Sequence, residues 1–78
     1  MLNGKRVSLI GIPDTQIPRL TTLYALRDIR IVPYGQATDY IVYGPYLNSI
    51  DEIDRGSNPV ADIMSQDDFF SLLLRDVN

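Results

Sequence analysis

The run Arg6-Val7-Ser8-Leu9-Ile10-Gly11-Ile12 constrains the fold of this chain more than any other segment. It is apolar and β-branched with almost no polar alternation. A strand with one wet face alternates polar and apolar residues, so a run that does not alternate must be covered on both faces. The expectation is a central strand with helices packed against it. Pro13 to Pro18 then reads as a loop in which Asp14 or Thr15 caps a helix whose first turn holds Pro18. That helix runs from about Pro18 to Arg27 and lays Ile17, Leu20, Leu23, Tyr24 and Leu26 on the sheet at three- and four-residue steps.

The rest of the chain continues the alternation. Ile29 to Val32 is a short second strand, and the single charge of Arg30 between apolar neighbours marks it as an edge; Pro33-Tyr34-Gly35 ends it. Thr38 to Gly44 is a third strand, rich in Tyr, Ile and Val, stopped by Gly44-Pro45. Leu47 to Gly56 reads as a short helix with Asn48 or Ser49 at its cap, acids in its first turn and Gly56 as terminator. Val60 to Met64 is a fourth strand. Ser65-Gln66-Asp67-Asp68 has the form of a capping box and opens a last helix through Leu74, with Phe69, Leu72 and Leu73 on its buried face. The order is βαββαβα, and the crossover between the last two strands makes them parallel and right-handed. The expected fold is a three-layer α/β domain with a four-stranded sheet and three helices.

Composition removes most alternatives. With 78 residues the chain is a single domain, 1–78, with a core over about 2–75. It has no Cys and no His, so zinc fingers, disulfide staples and imidazole-based catalysis are excluded, and stability must come from packing or a partner. The lack of Cys fits a reducing compartment, and the cytoplasm is the expected location. The apolar run after Lys5-Arg6 is too short for a signal-peptide core, and no stretch approaches the roughly 20 residues that a bilayer requires. Charge divides unevenly: residues 1–50 hold five basic side chains against three acidic, and residues 51–78 hold two against seven. A protein that neutralises many phosphates carries a basic stripe. DNA binding is therefore expected to be weak or absent.

Three segments together resemble a BRCT domain, most closely the one at the C-terminus of bacterial NAD-dependent DNA ligases. They are LNGKRVSLIGIP at residues 2–13, TDYIVYG at 38–44 and SQDDFFSLL at 65–73. Gly4-Lys5 and Ile10-Gly11 stand where the family's first strand begins and ends. Thr38, Asp39, Ile41, Val42 and Gly44 follow its third strand, Ser49 its second helix, and Asp68, Phe69 or Phe70, Leu72 and Leu73 its last helix. The resemblance implies a parallel sheet of order 2-1-3-4. It also implies a non-catalytic interaction module of DNA replication or repair.

The family's phosphate-binding members use a Ser or Thr beside the first-strand Gly, the amide of that Gly, and a Lys on the second helix. Here Ile10 and Ile12 flank Gly11, and the helix from Ser49 offers Asp51, Glu52, Ile53 and Asp54. The corresponding positions Gly11, Ile12, Ser49 and Ile53 are thus expected to be a non-functional remnant, since carboxylates would repel a phosphate placed there. The family's Gly pair after the first helix is also missing, since Arg27-Asp28 leads almost directly into Ile29.

Candidate partner-binding residues are Tyr46, Tyr34, Arg19 and Arg27. Tyr is enriched at interface hot spots, and Tyr34 and Tyr46 fall in loops, whereas Tyr40 and Tyr43 point to opposite covered faces of their strand. Acids at the starts of helices read as cap and dipole stabilisers, so no metal and no cofactor is expected. Three functions follow. The leading one is an adaptor for a protein of DNA replication or repair. The second is an acidic decoy that occupies the basic groove of a DNA-binding protein, as a phage or mobile element would encode. The third is a DNA-end or nick binder acting through the basic first half. A homodimer burying Phe70, Leu74 or Val77 is a further expectation, and no membrane partner is expected.

Overall fold

A computed structural model describes residues 2–49, 51, 53 and 61–75. Its elements are β1 (Arg6–Ile10), a 3-10 turn (Asp14–Gln16), α1 (Ile17–Ala25), β2 (Arg30–Ile31), β3 (Tyr40–Tyr43), β4 (Asp62–Ser65) and α2 (Gln66–Arg75). The four strands form one parallel sheet in the order β2-β1-β3-β4. The strand order and the edge position of β2 are as expected.

Register explains why β1 carries no polar alternation. Val7 pairs with Tyr40 and Leu9 with Val42 on one face, while Ser8 pairs with Ile41 and Ile10 with Tyr43 on the other. The first face is covered by both helices, through Tyr24 of α1 and Phe69 and Leu73 of α2, with Leu2, Ile12 and Ile29 completing the cluster. The second face carries a smaller cluster of Ile41, Ile53 and Ala61, with Ile10, Tyr43, Leu47 and Ile63 packed against it. Tyr40 and Tyr43 therefore lie on opposite faces, each against apolar neighbours.

The centre of the helical layer is aromatic. Phe69 is fully buried. Its ring meets Tyr24 edge-on at 5.2 Å between centroids and Tyr40 at 5.5 Å. Such pairs add about 1 kcal/mol each to the apolar burial. Desolvation pushes the Tyr24 phenol up from its ordinary value to about 12.

The end of α1 shows how the chain manages without the glycine pair. Ile29 N–H donates to the Tyr24 carbonyl at 2.9 Å and Asp28 N–H to the Ala25 carbonyl at 3.0 Å. This is a Schellman turn with Asp28 in its left-handed position at φ 59°. Tyr24 and Ile29, the two residues such a turn brings together, both belong to the main core cluster. Asp28 is an acceptable substitute for Gly because short polar side chains tolerate this region better than others.

Several local expectations are corrected. Neither Asp14 nor Thr15 caps α1: a 3-10 turn intervenes, Gln16 takes the cap position, and no side chain bonds to the free amides. Pro18 does stand in the first turn. Leu26 is not on the buried stripe but 78% exposed, because it lies two residues, about 200° of helical rotation, beyond the buried Tyr24. β2 is half the expected length, since only Arg30 and Ile31 find ladder partners on β1. Thr38 and Asp39 precede β3 rather than belonging to it, and act as its anchor. The Thr38 hydroxyl is within reach of the Arg6 and Tyr40 carbonyls, at 2.9 and 3.0 Å, and donates to one at a time. The Asp39 carboxylate accepts the Arg6 amide at 2.8 Å. At the far end, Ser65 Oγ accepts the Asp68 N–H at 3.0 Å, which is half of the expected capping box.

Among the described residues there are two α-helices. Leu47 to Ser49 are irregular. Half of the expected middle helix, with Ile50, Glu52, Asp54 and its terminator Gly56, lies outside the described residues, as do the following Pro59 and Val60. Val77 of the expected dimer surface does too.

Candidate functional site

The carboxyl ends of the strands form the side of the sheet where a ligand is most readily held. The chain leaves β1, goes outward to β2, and returns to β3 on the other flank of β1. At such a reversal the loops diverge and open a crevice outside the strand ends. A crevice of about 540 Å³ lies on this side, between Gln16 behind β1, Tyr43 and Pro45 at the end of β3, and Ser65 and Gln66 at the start of α2.

The wall of this crevice is held rigidly by Gly11 and Gly44. Gly11 has φ +69°, and a Cβ on it would stand 2.6 Å from the Leu47 nitrogen. Its carbonyl accepts the Tyr46 N–H at 2.8 Å. A Cβ on Gly44 would meet Ile12 Cγ1 at 2.6 Å and the Gly11 carbonyl at 2.8 Å. The β1 and β3 ends are thus in backbone-to-backbone contact. The Tyr46 ring projects from this fixed backbone into solvent, 69% exposed.

The other candidate residues do not converge on it. Tyr34, in the β2–β3 connection, is 41% exposed. Arg19 is exposed on α1, with no hydrogen-bond or ion-pair partner among the described residues. Arg27 is half-buried, and its guanidinium donates to the Leu73 carbonyl at 2.8 Å, tying the end of α1 to the last turn of α2. Arg27 follows Arg19 by eight positions, past the end of α1 and about 12 Å further along its axis, so they do not form one patch. Of the remnant phosphate positions, Gly11 is closed off by Leu47, Ile12 and Ile53 are buried at 8% exposure, and exposed Ser49 accepts the Asp51 N–H at 3.2 Å. The structure places these four in packing and turn positions.

A second cleft, of about 410 Å³, runs along the β2 edge beside Arg6 and Arg30, which are direct neighbours across β1 and β2. Its positive character is reduced by Asp39, 3.7 Å from Arg6 Nε, and by Asp28 in the cleft wall. Among the described residues no three acidic groups gather to hold a metal, and no helix is long and apolar enough to cross a membrane.

Comparison of the chain with protein-family models, curated proteins and solved structures gave no significant match.

A solvent-facing apolar stripe lies on the helical layer, at Phe70 and Leu74 as the sequence suggested for a dimer surface, with Leu26 as an exposed residue it did not suggest. Phe70 is 47% and Leu74 54% exposed, one turn apart on α2, and exposed Leu26 stands at the end of α1 that Arg27 ties to Leu73. The signal was present in the last helix, where Phe69, Phe70, Leu72, Leu73 and Leu74 are more apolar positions than one buried face accepts.

Proposed function

We propose that this protein is a non-catalytic interaction module of the BRCT type, an adaptor that engages a protein of DNA replication or repair. The observation that carries this reading is Tyr46. It is a large amphipathic side chain on a backbone immobilised by the Gly11 contact, set between two residues, Pro45 and Leu47, that line the crevice. A rigidly presented Tyr loses little entropy on binding and supplies both apolar area and a hydrogen-bonding tip. The BRCT part of the proposal rests on the motif order at residues 2–13, 38–44 and 65–73, and it is compatible with the strand order of the sheet.

Recognition of a protein segment is favoured over DNA-end binding. Of the two arginines expected to contact DNA, Arg27 is engaged with Leu73, which leaves Arg19 alone on that face. For the acidic-decoy reading, the described acids Asp67 and Asp68 stand in the first turn of α2, where they also complement the helix dipole.

The test is capture of partners from a native lysate with wild-type protein and with Tyr46→Ala, in the presence and absence of nuclease. Retention of a protein with nuclease present, lost with Tyr46→Ala, is expected. Retention that vanishes with nuclease and survives Tyr46→Ala overturns the proposal in favour of DNA.

A further inference from the structure

The apolar stripe on α2 adjoins the Tyr46 crevice, which Asp67 also lines, and calls for its own occupant. Phe70 and Leu74 form its centre, with Ser71 beside them on the same exposed side. The ends of the helix are charged in opposite senses: Asp67 and Asp68 lie in the first turn and Arg75 in the last. Asp67, Phe70, Ser71 and Leu74 follow at steps of three and four, so they share one face.

A surface that is acidic at one end, apolar in the middle and basic at the other is complementary to itself under a two-fold rotation. An axis crossing α2 at the level between Ser71 and Leu72 sets a second α2 antiparallel to the first. Leu74 of each copy then lies beside Phe70 of the other, and Asp67 of each lies opposite Arg75 of the other. The same residues serve twice, as an isologous contact requires. The exposed Arg75 side chain makes no hydrogen bond or ion pair with another described residue. A parallel arrangement would bring acid against acid and base against base.

We infer that the α2 stripe docks a second copy of this chain as an antiparallel helix pair. One ten-residue helix with Leu26 at its side offers less than the roughly 800 Å² per partner of a standard interface, so the dimer is weak and concentration-dependent. This goes beyond the adaptor reading, and the failures are distinguishable because Leu74 and Arg75 test the dimer and Tyr46 tests the adaptor. A dimer presents two Tyr46 sites at once, which raises the avidity for any partner with two binding segments.

Sedimentation velocity from about 1 µM to about 1 mM protein spans the affinities expected of such an interface. The expected result is a monomer–dimer equilibrium that Leu74→Asp weakens by about tenfold or more. Asp67→Arg alone and Arg75→Asp alone each weaken it about threefold, and the double reversal returns it to near the wild-type value. Unchanged far-ultraviolet circular dichroism of Leu74→Asp shows that the exposed substitution has left the fold intact. A single species of monomer mass across the whole range overturns the inference. A dimer that depends on Leu74 but gains nothing from the double reversal overturns the antiparallel assignment.

Discussion

The Arg27 guanidinium at the end of α1 donates to the backbone carbonyl of Leu73 in the last turn of α2, at 2.8 Å. A cation at this place bonds a carbonyl in the last described turn of α2 and complements the negative end of the helix dipole. It makes Arg27 a clasp between the two helices. Arg27→Ala is expected to lower stability by about 1 to 2 kcal/mol in urea denaturation, the worth of a hydrogen bond to a charged group. Arg19→Ala stays within about 0.5 kcal/mol of wild type. Equal effects from the two substitutions would show that the clasp contributes nothing.

Asp28 occupies the left-handed position of the Schellman turn at φ 59°. Asp28→Gly removes the steric cost of a Cβ there and should raise stability by about 0.5 to 1 kcal/mol, or roughly 4 °C in melting temperature for a domain of this size. A lower melting temperature would mean that the Asp side chain contributes more than its backbone strain costs.

Phe69 touches both Tyr24 and Tyr40 and is fully buried. Phe69→Ala opens a cavity beneath both helices at a cost of about 3 to 5 kcal/mol, enough to leave a domain of marginal stability largely unfolded at room temperature. Phe69→Leu keeps much of the volume and is expected to fold. Circular dichroism of the pair distinguishes loss of volume from loss of the aromatic contact.

Gly11 and Gly35 both have positive φ, at 69° and 100°, but only Gly11 is crowded. Gly35→Ala costs backbone strain of about 1 to 2 kcal/mol. Gly11→Ala costs that strain and a clash with the Leu47 backbone, about 1 to 3 kcal/mol more. Chemical denaturation of the two variants measures the difference, and identical losses would show that the chain after β3 yields freely.

The Tyr24 phenol, ordinarily at 10.0, is raised to about 12 by burial. Between these values the unfolded chain has lost its proton and the folded one has kept it, so stability falls as pH rises from 10 to 12. The contribution is fully present below pH 10 and amounts to about 3 kcal/mol. Tyr24→Phe has no proton to lose, so its denaturation midpoint should fall less over that range than that of the wild type.

Much of the architecture is legible in residue patterns because burial on two faces leaves a distinctive trace. The unalternating run at Val7 to Ile10 announces a central strand, Arg30 announces an edge, and Ser65 announces the start of α2. What was not legible depends on partners distant in sequence. Leu26 is an exception, since helical rotation alone separates it from the buried stripe of Ile17, Leu20, Leu23 and Tyr24. Thr38 and Asp39 read as strand residues, yet their side chains are spent on the backbone of Arg6, 32 and 33 positions earlier. The candidate site was legible in one residue: Tyr46 follows from its loop position and aromatic character. The Gly11 carbonyl that fixes its backbone is a long-range contact with no local signal, and Arg27 reads as a surface cation until α2 is set beside it.

The register of β1 also dictates the order in which this protein can acquire structure. β1 is synthesised first, yet its neighbours arrive 24 positions later, where Arg6 meets Arg30, and 33 positions later, where Val7 meets Tyr40. No two adjacent strands are joined by a hairpin, so each ladder closes a long loop before it gains a bond. On an emerging chain the most apolar strand therefore keeps one edge unpaired until Tyr43 has cleared the ribosome. Folding is expected to be slow for a domain of this size, and the interval is when Val7 to Ile12 is most exposed to aggregation.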